Sequence, residues 1–374
     1  MIIYIISAIC ILLYTVVFNV NKTNRRKKIF LCFSFGILFL IAAVRKYTVG
    51  TDLNIVYKPI FDVVKSTSWT ELKNIKIEIG FIYFLKILSC ISEDIQLVIF
   101  ITSFIIYSAY AVFIYKNSED VGLSTVLFIL LNTYLMSMNI IRQELAIAII
   151  LYFFGFLKKK KYLIFSIIVF IATLFHSSAL FFLILIPLGN IRVKKQYFIY
   201  SFIVIAIICI YIGPLVNSFS GILSIESNNK DYSTYLLNNR HGVGYINTSS
   251  ISEFIVALLI YIIVAYYYVL LRKSCNNMNK KIDMYNENIE IFGTMLYFLF
   301  VTSTFKMNVI SRLSYYFLPI VLIALPKAIS KSIRRDNKRI IIYSIYGLLL
   351  LKYIFTVVIL ADTLYGVTPY RTFF

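Results

Sequence analysis

The chain has 374 residues, 60% of them hydrophobic and 14% charged, with a formal net charge of +20. An average soluble domain is roughly 45–50% apolar, so this composition excludes an ordinary soluble enzyme, a disordered chain and a disulfide-stapled secreted domain. It indicates an integral membrane protein whose apolar surface faces lipid.

In chain order, the apolar runs able to span a bilayer are 2–18, 29–46, 94–115, 121–138, 141–157, 162–175, 177–190, 196–214, 251–271, 289–305, 312–326 and 340–360. They predict an all-α polytopic membrane protein with about twelve transmembrane helices in one integral domain, 1–374. The first run, MIIYIISAICILLYTVVF, has its basic cluster behind it, so it reads as a retained helix and not a cleaved signal peptide. A further run, 79–92, is short and carries Lys86. The five cysteines (Cys10, Cys32, Cys90, Cys209, Cys275) show no CxxC or Cys/His spacing, so neither a zinc site nor a disulfide framework is indicated.

Basic clusters set the topology. They lie at 19–28, at 158–161 (KKKK), at 190–196, at 272–288 and at 327–339, and cytoplasmic loops are where Lys and Arg accumulate. If 79–92 crossed the membrane, KKKK would fall outside and every later loop would invert. As a re-entrant or interfacial helix it leaves 23 of the 37 Lys and Arg inside, with both termini outside. Residues 162–190 read as two short spans and not one tilted one, because KKKK and RVKK then share a side. Their joint, Phe175-His176-Ser177, would lie below the outer surface. Two large outer regions remain, about 47–93 and 215–250, each long enough to fold over a cavity.

Four arginines are not explained by this topology. Arg45 ends the second span, Arg142 begins the fifth, Arg312 begins the eleventh and Arg371 lies in the C-terminal tail. All four fall on the face that positive charge avoids. An arginine there costs free energy unless it snorkels or pairs. One reading is snorkelling or an ion pair, such as Arg142 with Glu144 or Arg45 with Asp52. The other is a shared anion site, since guanidinium binds phosphate bidentately and Arg142 sits in a first helical turn that favours an anion.

His176, in ATLFHSSAL, is either a hydrogen-bonded packing residue or a general base, imidazole being the side chain that exchanges protons near neutrality. His241, in RHGVGY, reads as a solvated loop residue. Asp52 follows Gly50-Thr51 and is either a turn former or a base and sugar-hydroxyl acceptor. Glu78 and Glu144 are carboxylates of the same kind. The 30 Tyr and 32 Phe suit headgroup belts and sugar-facing cavities. No DxD, Walker A, GxGxxG, HExxH or GxSxG occurs. The expectation is therefore no cofactor, no metal and no nucleic acid partner, with an activated substrate delivered in lipid.

RKYTVGTD at 45–52, EIGF at 78–81, RQELA at 142–146, FHSSA at 175–179, SRLSYYF at 311–317 and the terminal PYR together resemble the EpsG-like family, grouped with the Wzy-type polymerases of bacterial O-antigen and capsule repeat units. That resemblance implies polymerisation of undecaprenyl-pyrophosphate-linked oligosaccharides on the outer face of the cytoplasmic membrane, without a cofactor, with membrane lipid and a chain-length regulator protein as partners. It places Arg45, Asp52, Arg142, Gln143, His176 and Arg312 in the site. Catalysis is expected from His176, Asp52 and Arg142, and substrate contacts from Arg45, Gln143, Arg312, Glu78 and Arg371. Rival readings are a lipid-linked saccharide flippase, for which no repeat halves or paired broken helices are visible, an O-antigen ligase and a membrane acyltransferase.

The topology has a direct test. In a background with the native cysteines replaced, single cysteines at 52 and 241 should react with an impermeant thiol reagent on intact cells, and cysteines at 158–161 should be shielded. The reverse pattern overturns the assignment.

Overall fold

The structure is a computed structural model. It describes residues 1–18, 20–191, 200, 248–277, 283–305, 308–332 and 335–374. Nearly all of the expected span at 196–214 and of the outer region 215–250, His241 included, lies outside the described residues. Among the described residues the architecture is all-helical, and the β-type contact is an isolated antiparallel bridge between Arg45 and Thr372.

The helices are α1 (Ile2–Val17), α2 (Asn24–Ala43), α3 (Lys58–Ser66), α4 (Ile79–Ser89), α5 (Ile95–Asn117), α6 (Val121–Leu130), α7 (Thr133–Ser137), α8 (Ile141–Tyr152), α9 (Phe154–Lys158) and α10 (Tyr162–Thr173), followed by a 3₁₀ segment, Ser177–Ile184. One compact unit comprises Met1–Leu183 with Ile333–Phe374, including the helix Arg335–Phe355. A second unit, Ile184–Ser332, holds α11 (Leu185–Asn190) and the helices Thr248–Asn277, Tyr285–Thr302 and Ser314–Ser332.

Among the described residues, four helices are long and apolar enough to cross a membrane: Ile95–Asn117, Ser250–Ser274, Tyr285–Phe305 and Asn337–Leu360. The expected count of about twelve is therefore not reached by the described helices. The reason is that several apolar runs are broken. Run 121–138 splits at Asn132, which takes a left-handed φ of 63°, a conformation asparagine tolerates better than most residues. Run 141–157 splits between α8 and α9, whereas the break after α10 falls at the joint already expected between 162–175 and 177–190. Every residue of α6 is buried. A helix apolar on all sides is one surrounded by protein or lipid, and irregular backbone at membrane depth survives only where protein covers it. Hydropathy cannot separate these cases.

The region expected as a loop at 47–93 is itself largely helical. At 11 residues, α4 reaches about 16 Å, too short to cross a hydrocarbon core of about 30 Å. Lys86 in α4 is only 9% exposed. Its ammonium donates to the carbonyls of Val64 (3.2 Å), Lys65 (3.1 Å) and Thr67 (2.8 Å). Those carbonyls end α3 and have no intrahelical partner, so Lys86 is a cap supplied by a neighbouring helix.

The C-terminal part of α2 also receives side-chain donors from elsewhere in the unit. Tyr134 donates to the carbonyl of Leu38 (3.1 Å), Tyr370 to Ile41 (2.8 Å), Arg45 to Ala42 (2.5 Å) and Gln96 to Ala43 (2.6 Å). The C-terminal tail runs along the segment that follows. Lys46 N–H donates to Arg371 O (2.8 Å), Phe373 N–H to Val44 O (3.1 Å) and Gly50 N–H to Gly366 O (2.8 Å).

In the second unit, buried Asn288 donates to the carbonyls of Gly189 (2.9 Å) and Ile191 (3.0 Å) and accepts from Tyr268 (2.5 Å). Lys327, counted above with a basic loop, lies inside the helix Ser314–Ser332. It pairs with Glu287 (3.1 Å) and Glu290 (2.9 Å).

Lys86→Met keeps the apolar stem and removes three donors. We expect a loss of about 2 kcal/mol, the order of a charged hydrogen bond left unmade at buried carbonyls, read as a lowered thermal midpoint in detergent. An unchanged midpoint would discard the capping role.

Candidate functional site

Three separate segments of the first unit meet at Glu78. It precedes α4 as its N-cap residue, yet its side chain makes no cap hydrogen bond. The carboxylate instead faces two cationic or basic groups. Oε2 pairs with Nη1 of Arg142 in the first turn of α8. Oε1 stands 3.2 Å from Nδ1 of His176 and 3.5 Å from the N–H of Ser177. All three side chains are partly buried, with exposures of 18% for Glu78, 19% for Arg142 and 26% for His176.

Backbone geometry builds this meeting. The first N–H groups of α4 lack intrahelical acceptors. Those of Gly80 and Phe81 donate to the carbonyl of Leu174 (2.9 and 3.3 Å), just past the end of α10. The break at 174–176 is thereby docked onto the start of α4, which carries His176 to Glu78. The approach needs a glycine: a Cβ at Gly80 would lie 2.7 Å from Leu174 Cβ and 2.8 Å from its carbonyl oxygen.

Arg142 is held on its other side by Tyr57, whose ring centroid lies 5.8 Å from the guanidinium carbon. This buried tyrosine feels the charges of both Arg142 and Asp52. Asp52 is placed by its own backbone, its N–H donating to Oδ1 of Asn139 (2.8 Å). Gly50, two residues earlier, has a φ of 109°, and a Cβ there would sit 3.0 Å from the carbonyl of Met138. The Gly-Thr-Asp turn is thus seated on the segment that leads into α8.

The charge state of Glu78 follows from its neighbours. Burial pushes its carboxyl up. The adjacent imidazole of His176 and the charge of Arg142 outweigh that and hold it at about 2, against an ordinary 4.5. The site is a fixed carboxylate between an imidazole and a guanidinium. Its Oε1 lies beside Nδ1 of His176 and its Oε2 pairs with Arg142.

The other expected residues are placed differently. Arg45 was expected to contact substrate, but it is 1% exposed. Its guanidinium serves the carbonyls of Ala42 (2.5 Å) and Met138 (3.2 Å) and the hydroxyl of Ser103 (3.4 Å). It therefore ties α2 to the segment before α8, a positioning role. The pairs Arg142–Glu144 and Arg45–Asp52 do not form. Residues two apart on a helix do not face one another, and Glu144 instead accepts from Tyr110 at 3.1 Å in the core. Gln143 is buried. Arg371 is exposed in the tail, and Arg312 is exposed in the second unit. Of the arginines singled out in the first unit, Arg45 is thus taken up by the scaffold, Arg142 pairs with Glu78 and Arg371 lies exposed. Tyr57, Gly80 and Asn139 were not singled out from the sequence. Gly80 lies inside EIGF, a signal that was available, whereas Tyr57 and Asn139 carry none.

A family model described as EpsG family matches residues 28–372 of the chain. No curated protein and no solved structure matches it.

The lowered carboxyl of Glu78 gives stability that is complete above its unfolded value of about 4.5 and is lost as pH falls toward about 2. The thermal midpoint of wild type should therefore exceed that of Glu78→Gln at pH 5 and above, with the gap closing as pH falls below 4.5. A pH-independent gap would show that ionisation of Glu78 contributes nothing.

Proposed function

The chain belongs to the EpsG family, and from that premise we propose that it polymerises oligosaccharide repeat units carried on undecaprenyl pyrophosphate, at the outer face of the bacterial cytoplasmic membrane. The observation that carries this reading is the convergence of Glu78, Arg142 and His176 from three distant segments. A cation for a departing phosphate and a base for an attacking hydroxyl are the two groups that such a transfer requires.

The step is a glycosyl transfer. A hydroxyl of the acceptor unit attacks the anomeric carbon of the growing chain, and the bond from that carbon to the pyrophosphate oxygen breaks. The hydroxyl proton passes to His176, and Glu78, with Oε1 3.2 Å from Nδ1, stabilises the imidazolium that forms. This is the role a carboxylate plays behind a catalytic histidine in hydrolases. Arg142 takes the charge that develops on the leaving pyrophosphate. A fixed cation aimed at developing charge in a water-poor site is worth a few kcal/mol. Asp52, near Tyr57, is the alternative base. A single displacement of this kind inverts the anomeric configuration.

Glu78 and the incoming pyrophosphate compete for Arg142, which shapes the expected reaction. Substrate must draw Arg142 partly away from Glu78, and this strengthens the hold of the same carboxylate on His176 as the ring gains its proton. The imidazole becomes a better base as the donor binds, so proton transfer is coupled to loading of the site.

Arg142→Ala should cut polymer formation by about 10²-fold or more, the usual scale for removing one charge-stabilising donor, while single repeat units persist. Arg142→Lys should rescue poorly, because an ammonium cannot replace a bidentate fork. The assay uses purified protein and externally supplied lipid-linked units in detergent, where transport across a membrane plays no part. Full-length polymer from a folded Arg142→Ala protein would sink the reading.

A further inference from the structure

A second feature of the first unit lies away from Glu78. Between α2 and α5 runs a groove of about 430 Å³. Leu31, Phe35 and Phe39 on α2 and Phe104 on α5 form its walls, and Lys28 and Tyr115 stand at one end. Gly36 opens the floor, since a Cβ there would meet nothing within 4 Å. The lining is almost wholly apolar except at the Lys28 end, where Nζ sits 5.6 Å from the centroid of the Tyr115 ring.

That end carries unusual charge. Arg25, Arg26, Lys27 and Lys28 are consecutive in the first turns of α2, where the helix dipole is already positive and cations are unfavourable. Arg25 lies one turn before Lys28, on the same side of the helix. The groove also has a definite length. From Lys28 to Phe39 the helix rises about 16 Å, which is half of a hydrocarbon core of about 30 Å. An occupant must therefore join an anionic head to an apolar tail one leaflet deep.

We propose that this groove is a binding site for an anionic phospholipid, with an acyl chain between α2 and α5 and the phosphate held by Lys28 and Arg25. Basic pockets beside transmembrane helices recognise anionic headgroups, at roughly fivefold in affinity per lysine or arginine near the surface. A zwitterionic lipid brings its own ammonium to the same cations and loses that advantage. A long polyprenyl chain outruns a groove one leaflet in depth. The lipid would steady the junction of α2 with α5, which also carries Arg45 and Ser103.

The test uses the full chain in nanodiscs of phosphatidylglycerol and phosphatidylethanolamine in equal amounts. Lipids retained after gentle detergent extraction are counted by native mass spectrometry. Wild type should keep phosphatidylglycerol over phosphatidylethanolamine by about fivefold or more, and Lys28→Gln should lower that preference about fivefold. Gly36→Leu fills the groove and should release the bound lipid, whereas Gly347→Leu, at another glycine whose added Cβ meets nothing within 4 Å, should behave as wild type. Equal retention of the two lipids by wild type overturns the proposal, as does undiminished lipid on Gly36→Leu. Should Gly36→Leu not fold, Lys28→Gln decides the matter through headgroup preference alone.

Discussion

The arrangement turns on one carboxylate shared between two partners. Glu78 is mostly withdrawn from water, and an ionised carboxylate so placed is costly unless charges and donors surround it. Arg142 answers it from one side, and His176 with the Ser177 N–H from the other. Breaking either contact leaves the other under-compensated. The three segments are therefore bound by electrostatics as well as by packing, and the same energetics keep an imidazole and a guanidinium a few ångströms apart.

The scaffold around that carboxylate is assembled from helix ends. Leu174 O receives the first amides of α4, Lys86 closes the last carbonyls of α3, and Arg45, two tyrosines and Gln96 donate to the C-terminal part of α2. In lipid no water substitutes for a missing partner, so each helix that stops inside the protein must find its acceptors in another helix. A cation embedded in apolar sequence then has two possible uses, ligand binding or capping. Arg45 and Lys86 serve capping, whereas Arg142 pairs with a carboxylate near a partly open imidazole. The groove between α2 and α5 is a separate matter, in which the cations stand at the rim and the apolar walls define the guest.

Broken helices decide what the apolar runs become. α6 is buried on all sides although its composition matches a lipid-facing span, and the left-handed Asn132 ends it without a glycine or proline to announce the break. The gap after α10 is different in kind. It brings His176 to the start of α4, so an interruption that shortens a span also delivers a catalytic candidate.

Membrane character, all-helical class and family were legible in the chain itself, because apolar content, basic clustering and short local motifs are properties of residue order. The joint at Phe175-His176-Ser177 was legible for the same reason, being a polar interruption of an apolar run. What the tertiary structure alone decided is which charges meet. Glu78 and Arg142 are 64 residues apart, and Arg142 chose Glu78 over the near neighbour Glu144 because α8 turns those two side chains to different sides. Pairing over such distances depends on where helix ends dock and on how much water is excluded there, and neither quantity is written in local sequence.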